Sequence, residues 1–166
     1  MKMNTLKIIR RDLITNRESG LLCKCLFITY RLGKSTKSKI FRKLISIFHV
    51  FFSTLSNCSI PYACEIGDGV LFKHGFSGVY LSSGCKIGKG CTILHNVTIG
   101  SKNLDKSTAP TLEDGILVGV GAVIVGDIII GENSKISPNS FVMESVEPNS
   151  IVISNVLIVR KSNVSS

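Results

Sequence analysis

Over most of this chain, apolar residues recur at every sixth position, and few folds can use that spacing. Ile60, Ile66 and Phe72 form one run, and Leu81, Ile87, Ile93 and Ile99 a second. A third holds Val118, Ile124, Ile130, Ile136 and Val142. Glycine follows the apolar position at 67, 88, 100, 119 and 131. An α-helix repeats every 3.6 residues and a half-exposed strand every two, so neither explains the pattern. A parallel β-helix does: each face of the coil is one short strand and a turn, and inward residues stack on their counterparts in neighbouring coils. We therefore read residues 60–166 as mainly β, a parallel β-helix.

Two breaks interrupt the count. Phe72 and Leu81 are nine apart, so three extra residues enter a turn near His74–Gly78. Ile99 and Val118 are nineteen apart, one more than three repeats, and the polar residues between them include Pro110. An extruded loop is expected there, near 101–112. Chain that leaves a regular scaffold is where function tends to sit.

Residues 1–59 are a different object. They carry twelve Lys and Arg against Asp12 and Glu18, a net +10 in a chain whose total is +9. Leu21, Leu22, Cys25, Leu26 and Ile28 keep a near-helical period, and Ile40, Leu44, Ile47, Phe48, Phe51 and Leu55 repeat it. Gly33 and the following KSTKSK stretch are expected to separate two helices, with Ser35 or Thr36 as N-cap. Pro61 marks the boundary. A basic segment with apolar helical faces suits either an anionic membrane surface or a solvated face on a helical cap. The apolar stretch Leu44–Leu55 is shorter than the roughly 20 residues that cross a bilayer. Charges interrupt the first residues where a secretion signal would be apolar. The six cysteines form no CxxC pair, so reduced thiols in a cytoplasmic protein are expected, peripheral at the inner membrane face if the helices bind lipid. Cys85 and Cys91, six apart, are expected to stack on adjacent coils. The aromatic residues of this segment sit in apolar faces rather than on a stacking platform, which argues against nucleic acid.

The segments EIGDGVLFKHGFSGVYL, IGKGCTILHNVTIG, VGVGAVIVGDIIIG and SVEPNSIVI point to a family. From Ile60 to about Ser150 the chain resembles the serine acetyltransferase branch of the hexapeptide-repeat acyltransferases. It is most similar to the O-acetyltransferases of capsular, colanic-acid and exopolysaccharide synthesis. The resemblance implies a left-handed parallel β-helix, although parallel crossovers are otherwise right-handed. It also implies a homotrimer with acetyl-CoA between adjacent subunits and a carbohydrate acceptor.

Acetyl transfer from a thioester to a hydroxyl needs a base, because an unactivated alcohol is a poor nucleophile at neutral pH. His74, in Lys73-His74-Gly75 at the first break, matches the family's catalytic histidine. His95 follows the inward Ile93 by two and is expected to face outward, binding the acceptor or assisting His74. His49, among helix phenylalanines, is expected to pack. The family's coenzyme contacts fall at Gly100, Gly121 and Ala122, largely through backbone groups, with Arg160 and Lys161 toward the nucleotide phosphates. Asn96 is expected either in an asparagine stack or beside the thioester.

Departures from the family pattern shape the acceptor. An aspartate that orients the base is Ser59 here, an acidic residue before the histidine is Lys73, and an Arg-His pair of the extruded loop aligns with Thr108-Ala109. These losses disfavour an amino-acid zwitterion and favour a sugar hydroxyl of a surface polysaccharide or its precursor. They leave Glu65, Asp68 or a backbone carbonyl to orient His74. The alternatives are serine O-acetylation in cysteine biosynthesis, a non-catalytic β-helix trimer, or a zinc-binding one. Zinc in such a trimer takes three solenoid histidines, and this solenoid has two; no metal is expected.

Overall fold

The computed structural model describes residues 5–153; nothing is said of the others, nor of the side chains of Leu104 and Lys106. Three helices, α1 (Thr5–Thr15), α2 (Leu21–Ser35) and α3 (Lys39–Leu55), precede thirteen short strands. The strands form three parallel sheets. One holds β1 (Glu65–Ile66), β4 (Lys86–Ile87), β7 (Thr111–Leu112) and β10 (Ile129–Ile130). The second holds β2 (Leu71–Phe76), β5 (Thr92–Ile93), β8 (Leu117–Val118), β11 (Lys135–Ile136) and β13 (Ile151–Val152). The third holds β3 (Tyr80–Leu81), β6 (Thr98–Gly100), β9 (Val123–Val125) and β12 (Phe141–Val142). Each of the first four coils contributes one strand to each sheet, β13 adds a fifth to the second, and the result is a left-handed parallel β-helix behind a helical segment.

The six-residue positions are the core. Ile66, Ile87, Leu112 and Ile130 stack in one wall, Phe72, Ile93, Val118 and Ile136 in the next, and Leu81, Ile99, Ile124 and Val142 in the third. All twelve are buried. Leu112 belongs to this set, so the coil resumes at Thr111 and the excursion closes sooner than its polar composition indicates. Proline and acidic neighbours conceal one inward leucine there.

Six residues is one face of a coil, not a whole turn, and this corrects the expected stacking of Cys85 on Cys91. The cysteine that meets Cys85 is Cys64, Sγ to Sγ 2.8 Å, one coil earlier. Cys91 instead donates to the Glu113 carbonyl at 3.1 Å. All six cysteines are free.

The corners carry a second ladder. Asn57, Gly78, Asn96, Gly121 and Asn139 all have φ between 47° and 69°. Asparagine and glycine alternate because each asparagine carboxamide fills the space beside a glycine of the adjoining coil. A Cβ at Gly78 would meet Asn96 Oδ1, and one at Gly121 would meet Asn139 Oδ1. Asn96 is thus a corner residue whose neighbours on the adjoining coils are Gly78 and Gly121, not the asparagine stack expected.

The helices close the exposed end of the first coil, whose strands would otherwise offer unpaired backbone to other chains. Asn16 acts as a missing strand, accepting from the Phe72 N–H at 2.9 Å and donating to the Val70 carbonyl at 2.9 Å. Arg31 donates to the carbonyls of Ile66 and Gly67 at 2.6 and 2.8 Å and pairs with buried Asp12 at 2.7 Å. Burial raises the Asp12 carboxyl above its ordinary value, and Arg31 opposes that shift. Tyr30 and Lys34 both donate to the Cys64 carbonyl.

Helix boundaries differ from expectation. Gly33 lies inside α2, where a Cβ would run into the Tyr62 ring, so its bareness serves packing rather than termination. Ser38, not Ser35 or Thr36, caps α3 by accepting from the Phe41 N–H at 3.4 Å; Thr36 is the C-cap of α2. The larger surprise is α3 itself. Ile40, Leu44, Ile47, Phe48, Phe51 and Leu55 face outward, 52–76% exposed, while His49 on the opposite side is buried.

Candidate active site

His74 stands on β2, two residues after the inward Phe72. The three extra residues that follow, Gly75, Phe76 and Ser77, make a bulge with a physical anchor. Phe76 turns inward and packs on Phe72 and on Phe27 of α2, ring centroids 4.1 and 5.0 Å apart. Gly75, at φ 72°, allows the chain to pass Cys23, whose Cβ lies 3.5 Å from where a side chain would start. With Phe76 inside, His74 is left exposed at the rim. Helix α2 therefore shapes the break that presents the histidine.

The register Leu71 to Thr92 and Phe72 to Ile93 makes His95 the counterpart of His74 on the next coil. Their rings meet edge to face, centroids 5.1 Å apart. His95 Nδ1 is buried without a hydrogen-bond partner among the described residues. That nitrogen leaves one hydrogen-bonding position open among the described residues.

A cleft of about 320 Å³ opens beside His74, with Leu22, Cys23, Leu55, Asn57 and Ser77 among its walls. Among the described residues, no lysine, arginine, aspartate or glutamate lines it. Burial pushes the Cys23 thiol up to about 12, which disfavours the thiolate at neutral pH. On the other side of Asn57 lies a groove of about 270 Å³ that includes Ser59, Tyr80, Ser82, Thr98 and Gly100. Tyr80 joins the two, its hydroxyl donating to Asn57 Oδ1 at 2.8 Å.

The structure separates the other expected residues. Ser59 lies in the groove of Gly100, not in the His74 cleft. Asp68 pairs with Arg11 at 3.6 Å and Glu65 borders a cleft on another wall. Neither forms a hydrogen bond or ion pair with His74, and no carboxylate among the described residues does. Lys73 reaches Glu18 at 3.6 Å. Gly121 has turn geometry, and Ala122 is a buried corner residue. Gly100 is different: its φ is not positive and a Cβ would meet only Val125 and Thr98, at 3.4 and 3.9 Å. Arg160 and Lys161 lie outside the described residues. His49 is buried, its Nε2 donating to the Ile60 carbonyl at 2.8 Å while Nδ1 accepts from Thr29 Oγ1 at 3.0 Å in the neutral tautomer. No group of three His, Cys, Asp or Glu side chains that could hold a metal occurs among the described residues.

Sequence reasoning missed Asn57 and Phe76. Asn57 was findable, because it starts the alternating Asn/Gly series at coil spacing. Phe76 was not, since only the contact with Phe27 distinguishes it from a turn residue.

Comparison with known proteins adds a family direction. No protein-family model matches the chain. It is 36% identical over 106 residues to the serine acetyltransferase of Buchnera aphidicola, covering 63% of this chain and 38% of that protein. With the serine acetyltransferase of Staphylococcus xylosus it shares 32% over 127 residues, 76% of this chain and 56% of that one. With that of Helicobacter pylori it shares 29% over 135 residues, 81% and 75% of the two chains. The chain spans between 36% and 50% of the length of the first five curated relatives. Among solved structures, the Brucella abortus serine acetyltransferase in complex with coenzyme A aligns at TM-score 0.78 and 24% identity, over 92% of this chain and 65% of that one. Isoform 3 from Entamoeba histolytica, in complex with cysteine, aligns at 0.79 and 19%, over 96% and 61%. At these identities the structural likeness shows the fold.

Proposed function

We propose that this protein is an acetyl-CoA-dependent O-acetyltransferase in which His74 is the general base, and that its acceptor is the hydroxyl of serine. The observation that carries the reading is the outward His74, raised by the Phe76 bulge, in ring contact with His95 at the same position of the next coil. Acetyl-CoA supplies an activated acyl thioester. His74 takes the proton of the acceptor hydroxyl as its oxygen bonds the acyl carbon, and returns a proton to the sulfur that leaves. His95 holds the acceptor or the His74 ring in place. Gly100, bare without a turn to require it, lets the pantetheine arm lie against the coil.

The acceptor reading revises the sugar hydroxyl expected from Ser59, Lys73 and Thr108-Ala109. The relatives described above are serine acetyltransferases, and none is named for polysaccharide modification. One observation sustains the sugar reading as a second choice: the His74 cleft has no fixed charge to meet an ammonium or a carboxylate. In the serine reading those charges come from an adjoining subunit of a homotrimer, which would also supply the absent orienting group for His74.

Thioester consumption by the full chain, with L-serine and with a panel of neutral sugars as competing acceptors, separates the two. Saturable turnover with L-serine and formation of O-acetylserine are expected. Turnover confined to sugars would transfer the assignment, and background rates with both would reduce the chain to a non-catalytic β-helix.

A further inference from the structure

Helix α3 carries a surface that acetyl transfer does not use. Ile40, Phe41, Leu44, Ile47, Phe48 and Phe51 lie within one arc of the helix at 100° per residue, and each is more than half exposed. The opposite side holds the helix to the protein, where His49 bonds Ile60 and Thr29, and Phe52 at the margin of the stripe packs against the core. The stripe therefore points away from the β-helix and from its own domain. Scattered exposed apolar residues need no explanation, but a contiguous row of this size marks a contact.

Charge decides what it contacts. Lys39 and Lys43, one helical turn apart, line one edge of the stripe, and Lys37 lies just before the helix, all exposed. No Asp or Glu occurs between Glu18 and Glu65. A second copy laid stripe to stripe would bring these cations together with no carboxylate on either segment to meet them. Anionic headgroups meet them, while the phenyl and aliphatic side chains enter the acyl boundary beneath. The seventeen residues of α3 are not a span, since no described helix is long and apolar enough to cross a membrane. A helix of this kind lies in the plane of the interface.

We propose that α3 docks the protein peripherally on an anionic phospholipid surface, with the stripe from Ile40 to Phe51 inserted and Lys39 and Lys43 at headgroup level. This is independent of the acceptor and of the catalytic reading.

Vesicle flotation of the full chain tests it. With equimolar phosphatidylcholine and phosphatidylglycerol the protein is expected to float, and to remain at the bottom with phosphatidylcholine alone or at high salt. Phe48→Glu should abolish flotation, and the double variant Lys39→Glu/Lys43→Glu should weaken it by roughly thirtyfold or more, from the usual contribution of each basic residue at such a surface. Both variants sit on exposed positions, and their unfolding curves should match wild type. The proposal fails if the wild-type protein does not float. It fails equally if flotation is indifferent to lipid charge and to both variants, or if Phe48→Glu instead halves the particle mass in lipid-free solution, which would make the stripe a contact between copies.

Discussion

His74 and His95 are twenty-one residues apart, and their imidazoles meet at 5.1 Å with planes at 80°, because the first coil is itself twenty-one residues long from Ile66 to Ile87. Three of those residues are the Phe76 bulge. The insertion thus does two things at once, raising His74 to the rim and keeping His95 in register behind it.

A first prediction concerns this pair. His74→Ala should lower kcat by about 10²–10⁴-fold in a thioester-cleavage assay, the usual worth of a general base. Its thermal midpoint should remain at the wild-type value, since the side chain is exposed. His95→Gln should retain more activity than His74→Ala and raise the acceptor KM. Wild-type kcat in His74→Ala would remove the proposed base.

The two glycines assigned to the coenzyme should behave oppositely. Gly121→Ala places a Cβ at φ 69° against Asn139 and should destabilise the fold by about 1–2 kcal/mol from the backbone conformation alone. Gly100→Ala has room, so its denaturation midpoint should hold while the KM for acetyl-CoA rises. An unchanged KM would move the coenzyme off this groove.

Arg31 should matter for stability more than any surface cation. Arg31→Ala leaves Asp12 buried without its partner, and the Ile66 and Gly67 carbonyls without their donor. A loss of about 3–5 kcal/mol in urea unfolding is expected. A loss below 1 kcal/mol would show that water replaces the guanidinium.

His49 should make stability sensitive to mild acid. Burial lowers its pKa in the folded state, so the unfolded chain binds a proton that the folded one excludes. Stability contributed this way is complete at neutral pH and is lost as pH falls below the ordinary histidine value of about 6.5. His49→Gln should flatten the urea midpoint between pH 7.5 and 5.5 relative to wild type, and an unchanged slope would assign the effect elsewhere.

The amino-acid sequence alone determined the coil. A six-residue period is a local, repeated signal, and each inward aliphatic residue is recoverable from its neighbours, as Ile87, Ile93 and Ile124 show. It also marked His74, because an interruption stands out against a regular count. What it did not determine depends on where separate coils and helices meet. Leu112 was hidden by its polar surroundings, and Cys64 is the partner of Cys85 only because the insertion after His74 lengthens the first coil to twenty-one residues. The apolar row of α3 has the same period as a buried helix face, and periodicity says only that one side differs from the other. Which side faces inward was settled by His49 and its bonds to Thr29 and Ile60, contacts that exist only once the chain has folded.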